Sequence, residues 1–205
     1  MDVRYLLTGR NRNEAEEADP GHSDCWDSAL GMVGICLKAQ QNKDTVKVPG
    51  GLALSEFKGY EGWQAVGPSQ TDAQHVIRMI LANPVMIKAY REGVPGNGKP
   101  SPEGSKIAKI EWTPKSITDP PFSASTPDTI PGTLVALEFI EKDSKRFADT
   151  HGWGYADLKY DAATDLLAPL TLADKPPQGN DAKCGASCHG LASTKDYIFT
   201  GYPKR

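Results

Sequence analysis

Near the C-terminal end, the stretch DAKCGASCHGLASTKDYIFT places Cys184, Cys188 and His189 within six residues. The spacing, Cys-x-x-x-Cys-His, is one residue longer than the Cys-x-x-Cys-His pattern of covalent haem attachment. A structural zinc site would need a fourth ligand, and the other histidines, His22, His75 and His151, are scattered singly. A Cys184–Cys188 disulfide would close a very short loop, stabilise little and leave His189 unexplained. A covalent haem would use all three residues: two thiolates add to the porphyrin vinyl groups, and the adjacent imidazole becomes an axial ligand. The extra spacer residue would have to be absorbed by a bulged turn, for which Gly185, Ala186 and Ser187 are small enough. From these residues alone, haem, disulfide and inert thiols all stay open.

A second candidate for chemistry is Glu138, in TLVALEFIEKD. Alternation along this strand-like segment puts Val135, Leu137 and Phe139 on one face, and Leu134, Ala136, Glu138 and Ile140 on the other. A carboxylate inside an apolar stripe is costly unless paired or protonated, which marks it for function. The plainer reading is a strand end that reaches solvent.

The elements that must position these groups are short and strongly punctuated. With 20 Gly and 16 Pro among 205 residues, turns are frequent, and 39% hydrophobic content can bury the core of one ordinary domain. VPGG is a turn, and LSEFKGYEGW reads as a short helix with Phe57, Tyr60 and Trp63 on one side. HVIRMILA and WGYADLKY read as strands. ANPVMIKAYREG is the clearest helix, with Asn83 as N-cap, Pro84 in the first position and Gly93 just past the end. SKIAKIEW alternates, with Ile107, Lys109 and Glu111 on one face. TPKSITDPPFSASTPDTIPG reads as an irregular connection wrapping a surface, DSKRFAD as one helical turn capped by Asp143, and KDYIFTGY as a last strand. The fold class is therefore α+β and β-dominant, an antiparallel sheet with a few short helices.

A net charge of -3 and a pI near 5.8, with no basic block, argue against nucleic-acid or anionic-membrane partners. No apolar run approaches the ~20 residues that span a bilayer. SALGMVGICLKAQ has the length of a secretory hydrophobic region, but the acidic EAEEADPGHSDCWD precedes it. It reads as a degenerate or wrongly started signal peptide, or as an N-terminal extension with one apolar patch. Either way residues 1–41, with Cys25 and Cys36, are expected to lie outside a folded domain at 42–205.

A series of landmarks then appears in order: YEGWQAVG, IRMILANP, EGSKIAKIEW, LEFIEKDSKRFADTHGWGY, and CGASCH followed by KDYIFT. In these, residues from about Thr45 to Arg205 resemble the cytochrome P-460 family, β-rich periplasmic c-type haem proteins. The resemblance implies one covalently attached haem c, with Cys184 and Cys188 as thioether cysteines and His189 as the axial iron ligand. It implies that Lys109, five residues after Gly104, is bonded to a meso carbon of the haem, ruffling the ring and tuning it for hydroxylamine oxidation. Glu138 would be the pocket carboxylate that takes protons from the substrate. Arg78 matches a pocket arginine, with a haem propionate or solvent as its other destinations. Trp153 and Tyr155 would line the haem pocket, although packing alone would also explain them. The implied partners are hydroxylamine or nitric oxide, a periplasmic electron acceptor such as a small cytochrome c, and a second copy of the chain in a homodimer. Two other readings stay open: a haem protein that binds nitric oxide or transfers electrons without catalysis, and a haem-free periplasmic domain.

Overall fold

In a computed structural model, the described residues are 46–48, 50–71, 74–117, 128–170 and 182–204. The chain divides into Met1–Lys38 and Ala39–Arg205, and all described residues belong to the second unit. The expected N-terminal extension, with Cys25 and Cys36, lies outside them.

Among the described residues, six strands form one antiparallel sheet in sequence order: β1 (Gln64–Thr71), β2 (Val76–Ala82), β3 (Lys106–Ile117), β4 (Asp128–Lys142), β5 (Trp153–Asp161) and β6 (Leu166–Pro169). Helix α1 (Pro84–Arg91) links β2 to β3, and α2 (Ala182–His189) follows β6. The β-dominant α+β class expected from the punctuation is the class observed.

Asn83 shows how local chemistry sets the framework. Its Oδ1 accepts from the Met86 amide at 3.0 Å and the Lys106 amide at 3.1 Å, while its Nδ2 donates to the Gly104 carbonyl at 2.8 Å. One side chain therefore starts α1 and ties it to the beginning of β3. Gly93 follows the helix at φ +87, a left-handed conformation that favours glycine.

One sheet face carries the core. Leu81, Ala108, Phe139 and Ala156 are successive cross-strand partners on it, all at most 8% exposed. Phe139 meets the rings of Phe57 at 4.3 Å and Tyr60 at 5.2 Å. These aromatics do sit on one side of their segment. The segment, however, is two 3-10 turns, Leu54–Phe57 and Tyr60–Gly62, and not one helix, because Gly59 between them takes φ +81.

Other expectations are corrected. The two ends of the Pro-rich stretch do pair, β3 continuing to Ile117 and β4 starting at Asp128, with Pro114 opposite Pro131 beside register shifts at Trp112, while residues 118–127 lie outside the described residues. Two facing prolines bring no N–H to leave unsatisfied, and the bulges absorb the misfit. KDYIFTGY is not a strand. Residues 190–195 form a 3-10 helix, and Asp196 and Tyr197 both take positive φ, which breaks any strand there. The remaining strand is β6, built from LLAP. The Asp143 turn is present, with Asp143 Oδ1 accepting from the amides of Lys145 and Arg146.

Candidate functional site

The opposite sheet face is laid out in rows. Ile80, Lys109, Glu138 and Asp157 are successive cross-strand partners across β2, β3, β4 and β5. With a side-chain period of two, the next row on the same face is Ala82, Ile107, Ile140 and Tyr155. The row on the other side holds Arg78, Glu111 and Ala136. An ionic band thus borders an apolar one. Helix α2 presses on the apolar side at Tyr155, where a Cβ on Gly185 would come within 2.2 Å of the tyrosine ring.

A cavity of about 230 Å³ joins these groups, with Arg78, Lys109, Glu138 and His189 in its wall beside Ile80, Ile107, Ile140, Ile198 and Phe199. Residues from β2, β3, β4, α2 and the C-terminal segment thus meet in one place. Within it, Lys109 Nζ lies 2.5 Å from Glu138 Oε2 and 3.3 Å from Glu111 Oε1, and Arg78 Nε donates to Glu111 Oε1 at 2.5 Å. The acidic and basic groups alternate, so each buried or half-buried charge has an opposite neighbour.

Burial pushes the Glu138 carboxyl above its ordinary range, and the Lys109 ammonium offsets part of that rise. Asp157 is pushed up to about 7, first by burial and then by the Glu138 charge opposite it. Its Oδ1 is buried and has no hydrogen-bond partner among the described residues. With burial raising both facing carboxyls, Asp157 keeps its proton up to about neutral pH. Asp157 has no role in the sequence reading. Its only signal there is the alternation of WGYADLKY, which puts it on the face of Tyr155, and the pairing with Glu138 comes from register.

His189 ends α2, and its Nδ1 lies 2.6 Å from the Tyr197 carbonyl. A carbonyl can only accept, so Nδ1 carries the hydrogen and Nε2 keeps its lone pair. Burial lowers the imidazole's proton affinity, which favours this neutral form. The ring packs 4.9 Å from that of Tyr155 and 5.0 Å from that of Phe199. Cys188 is exposed and its thiol is free. Cys184 lies four residues before it in the same α-helix, so the two positions share a helix face. The spacer residues Gly185, Ala186 and Ser187 lie within this regular helix. Trp153 is fully buried, with the Lys142 ammonium 5.1 Å from its ring, and is not in the cavity wall. Tyr155 backs the wall through its contact with His189.

The family model of cytochrome P460 matches residues 57–200, a span containing every group named in this cavity. This chain belongs to the cytochrome P460 family. It is thereby a c-type haem protein of a periplasmic family, and no described helix is long and apolar enough to cross a membrane. No curated protein matches it. The donor set suits a haem: a neutral imidazole with a free Nε2 lies beside aliphatic and aromatic wall residues, with a free thiol on the same helix.

Proposed function

We propose that this cytochrome P460 oxidises hydroxylamine, with Cys184 and Cys188 holding the haem through thioethers and His189 ligating its iron through Nε2. The haem would supply the iron and the electron sink for the oxidation. The observation that carries the reading is the convergence of His189, Lys109, Glu138 and Arg78 on one cavity. Oxidising hydroxylamine releases protons, so a base must stand in the substrate's space. Glu138 is that base. Its raised affinity makes it a better acceptor than a free carboxylate, and until the haem bond forms Lys109 at 2.5 Å is its counter-charge. Asp157, opposite Glu138 on β5, takes the proton onward. Arg78 holds Glu111 on β3, so that Lys109 is drawn toward Glu138 and Glu111 together. Electrons pass to a periplasmic acceptor such as a small cytochrome c.

In the mature protein Lys109 Nζ would be bonded to a ring carbon of the haem, an N–H and a C–H being lost as two protons and as two electrons that pass to an external electron acceptor. That bond lowers the charge opposing Glu138, Glu111 and Asp157 and favours a proton shared by Glu138 and Asp157. A second reading draws on the aliphatic part of the wall, Ile80, Ile107, Ile140 and Ile198, which suits a small apolar gas such as nitric oxide. The charged row favours the enzyme.

The test is the full chain co-expressed with a cytochrome c maturation system. Intact mass should show one covalent haem, and a peptide map should show an adduct on the peptide containing Lys109. Among molecules that carry the Lys109 adduct, Glu138→Gln should keep the red-shifted reduced spectrum and slow hydroxylamine oxidation by roughly 10² to 10⁴. Lys109→Leu should keep the haem and lose both the red-shifted spectrum and the activity. A protein with haem attached and Lys109 unmodified would establish the nitric oxide reading instead.

A further inference from the structure

The Tyr197 carbonyl that meets His189 Nδ1 follows Asp196, which a buried ion pair ties to the end of β4. Lys142, at the end of β4, is only 7% exposed. Its Nζ donates to Asp196 Oδ1 at 3.1 Å and to the His151 carbonyl at 3.1 Å. The other Asp196 oxygen accepts from the Ser101 amide at 2.7 Å. Around this one ammonium gather three non-glycine residues in left-handed backbone: His151 at φ +59, Asp196 at +48 and Tyr197 at +65. The His151 and Tyr197 rings stack at 4.5 Å.

Side chains disfavour that conformation, and it persists only where the surroundings impose it. Ending a 3-10 helix calls for one such residue, commonly glycine. Here two non-glycine residues in succession turn the chain so that the Tyr197 carbonyl reaches back to His189, eight residues earlier. A buried ion pair is also a poor choice for stability alone, since apolar residues of similar size avoid its desolvation. Both costs fall on the segment that aims one carbonyl at one imidazole.

We propose that Lys142 and Asp196 are positioning residues for His189. By locking residues 196 and 197 they fix the Tyr197 carbonyl, and through it the tautomer, ring orientation and donor strength of His189. The inference rests on the reading of His189 as the axial ligand and extends it to residues in different elements. The hydrogen bond from Nδ1–H strengthens Nε2 as a donor, so loosening the carbonyl weakens the bond to iron.

The test uses the full haem-loaded chain with Asp196→Asn and the double variant Lys142→Met/Asp196→Asn, which removes the pair without stranding a charge. The readouts are the iron–histidine stretch by resonance Raman, solvent exchange of the Nδ1 proton by NMR, and the iron reduction potential. Both variants should keep covalent haem. They should show a lower stretching frequency, faster Nδ1–H exchange and a higher potential. A wild-type stretch, exchange rate and potential in the folded double variant would overturn the proposal. A wild-type protein with covalent haem but no iron–histidine band would overturn the ligand reading, and this inference with it.

Discussion

Asp157→Asn should remove one pH-dependent contribution to stability. The Asp157 carboxyl is raised from 3.8 to about 7, with burial as the leading cause, Glu138 adding to it and Lys109 opposing it. At about 1.36 kcal/mol per unit, the full shift corresponds to about 4 kcal/mol. The side chain is only half-buried, so solvent screening brings a usable figure to about 2 kcal/mol. Because the folded value is the higher one, the native state keeps a proton that the unfolded chain has released. The stabilisation is therefore complete below about pH 4 and is lost as pH rises through about 7. The asparagine variant has the same shape and no proton to lose. Urea unfolding followed by circular dichroism, with slopes held equal, gives the difference. From about pH 4 to about pH 8 wild type should lose about 2 kcal/mol relative to Asp157→Asn, the reverse of the usual paired carboxylate. A difference that stays constant across that range, or that grows in favour of wild type, would refute the argument and make Asp157 an ordinary ionised carboxylate.

Gly185→Ala should weaken the fold, although alanine is normally the better helix former by about 1 kcal/mol, because the new methyl meets Tyr155 at 2.2 Å. Reduced covalent haem loading together with a lower melting temperature would check this. Phe139→Ala removes the ring on which Phe57 and Tyr60 pack and should cost about 3–5 kcal/mol in chemical denaturation. Asn83→Ala should cost at least the ~1 kcal/mol of an ordinary N-cap, since the same side chain also serves Lys106 and Gly104, and a melting temperature unchanged from wild type would contradict that role.

What the sequence made legible was local. Asn83-Pro84 announces α1 because a cap acts within one turn, and Glu138 falls on the face of Ala136 and Ile140 because alternation needs no partner to be read. Register is different: Arg78 opposite Glu111, Lys109 opposite Glu138 and Asp157 opposite Glu138 are pairings across 33, 29 and 19 residues, and nothing within each strand names its partner. Helix α2 gives no apolar period because its residues are mostly small and polar, and the contact of Gly185 with Tyr155 is a tertiary one.

KDYIFT shows the conflict most clearly. Its run of aromatic and β-branched residues, Tyr197 to Thr200, suits a strand, yet Asp196 binds an ammonium 54 residues away and the backbone turns left-handed there. The same bond that defeats the local pattern brings the Tyr197 carbonyl to His189. The charged row follows a related logic. Isolated, Lys109 reads as a solvated strand lysine and Glu138 as a strand end. Once β3 and β4 pair, each becomes the counter-charge that lets the other stand beside Ile80 and Ile140 in the wall of the cavity. Removing Glu138 leaves Lys109 with Glu111 alone, at 3.3 Å. Glu138→Gln should therefore disturb the position of Lys109 more than Arg78→Gln does, since Arg78 reaches the row only through Glu111. In the Lys109-containing peptide, the yield of haem adduct should fall in the order wild type, Arg78→Gln, Glu138→Gln, and an equal yield in all three would show that the ion pair has no part in aligning the lysine.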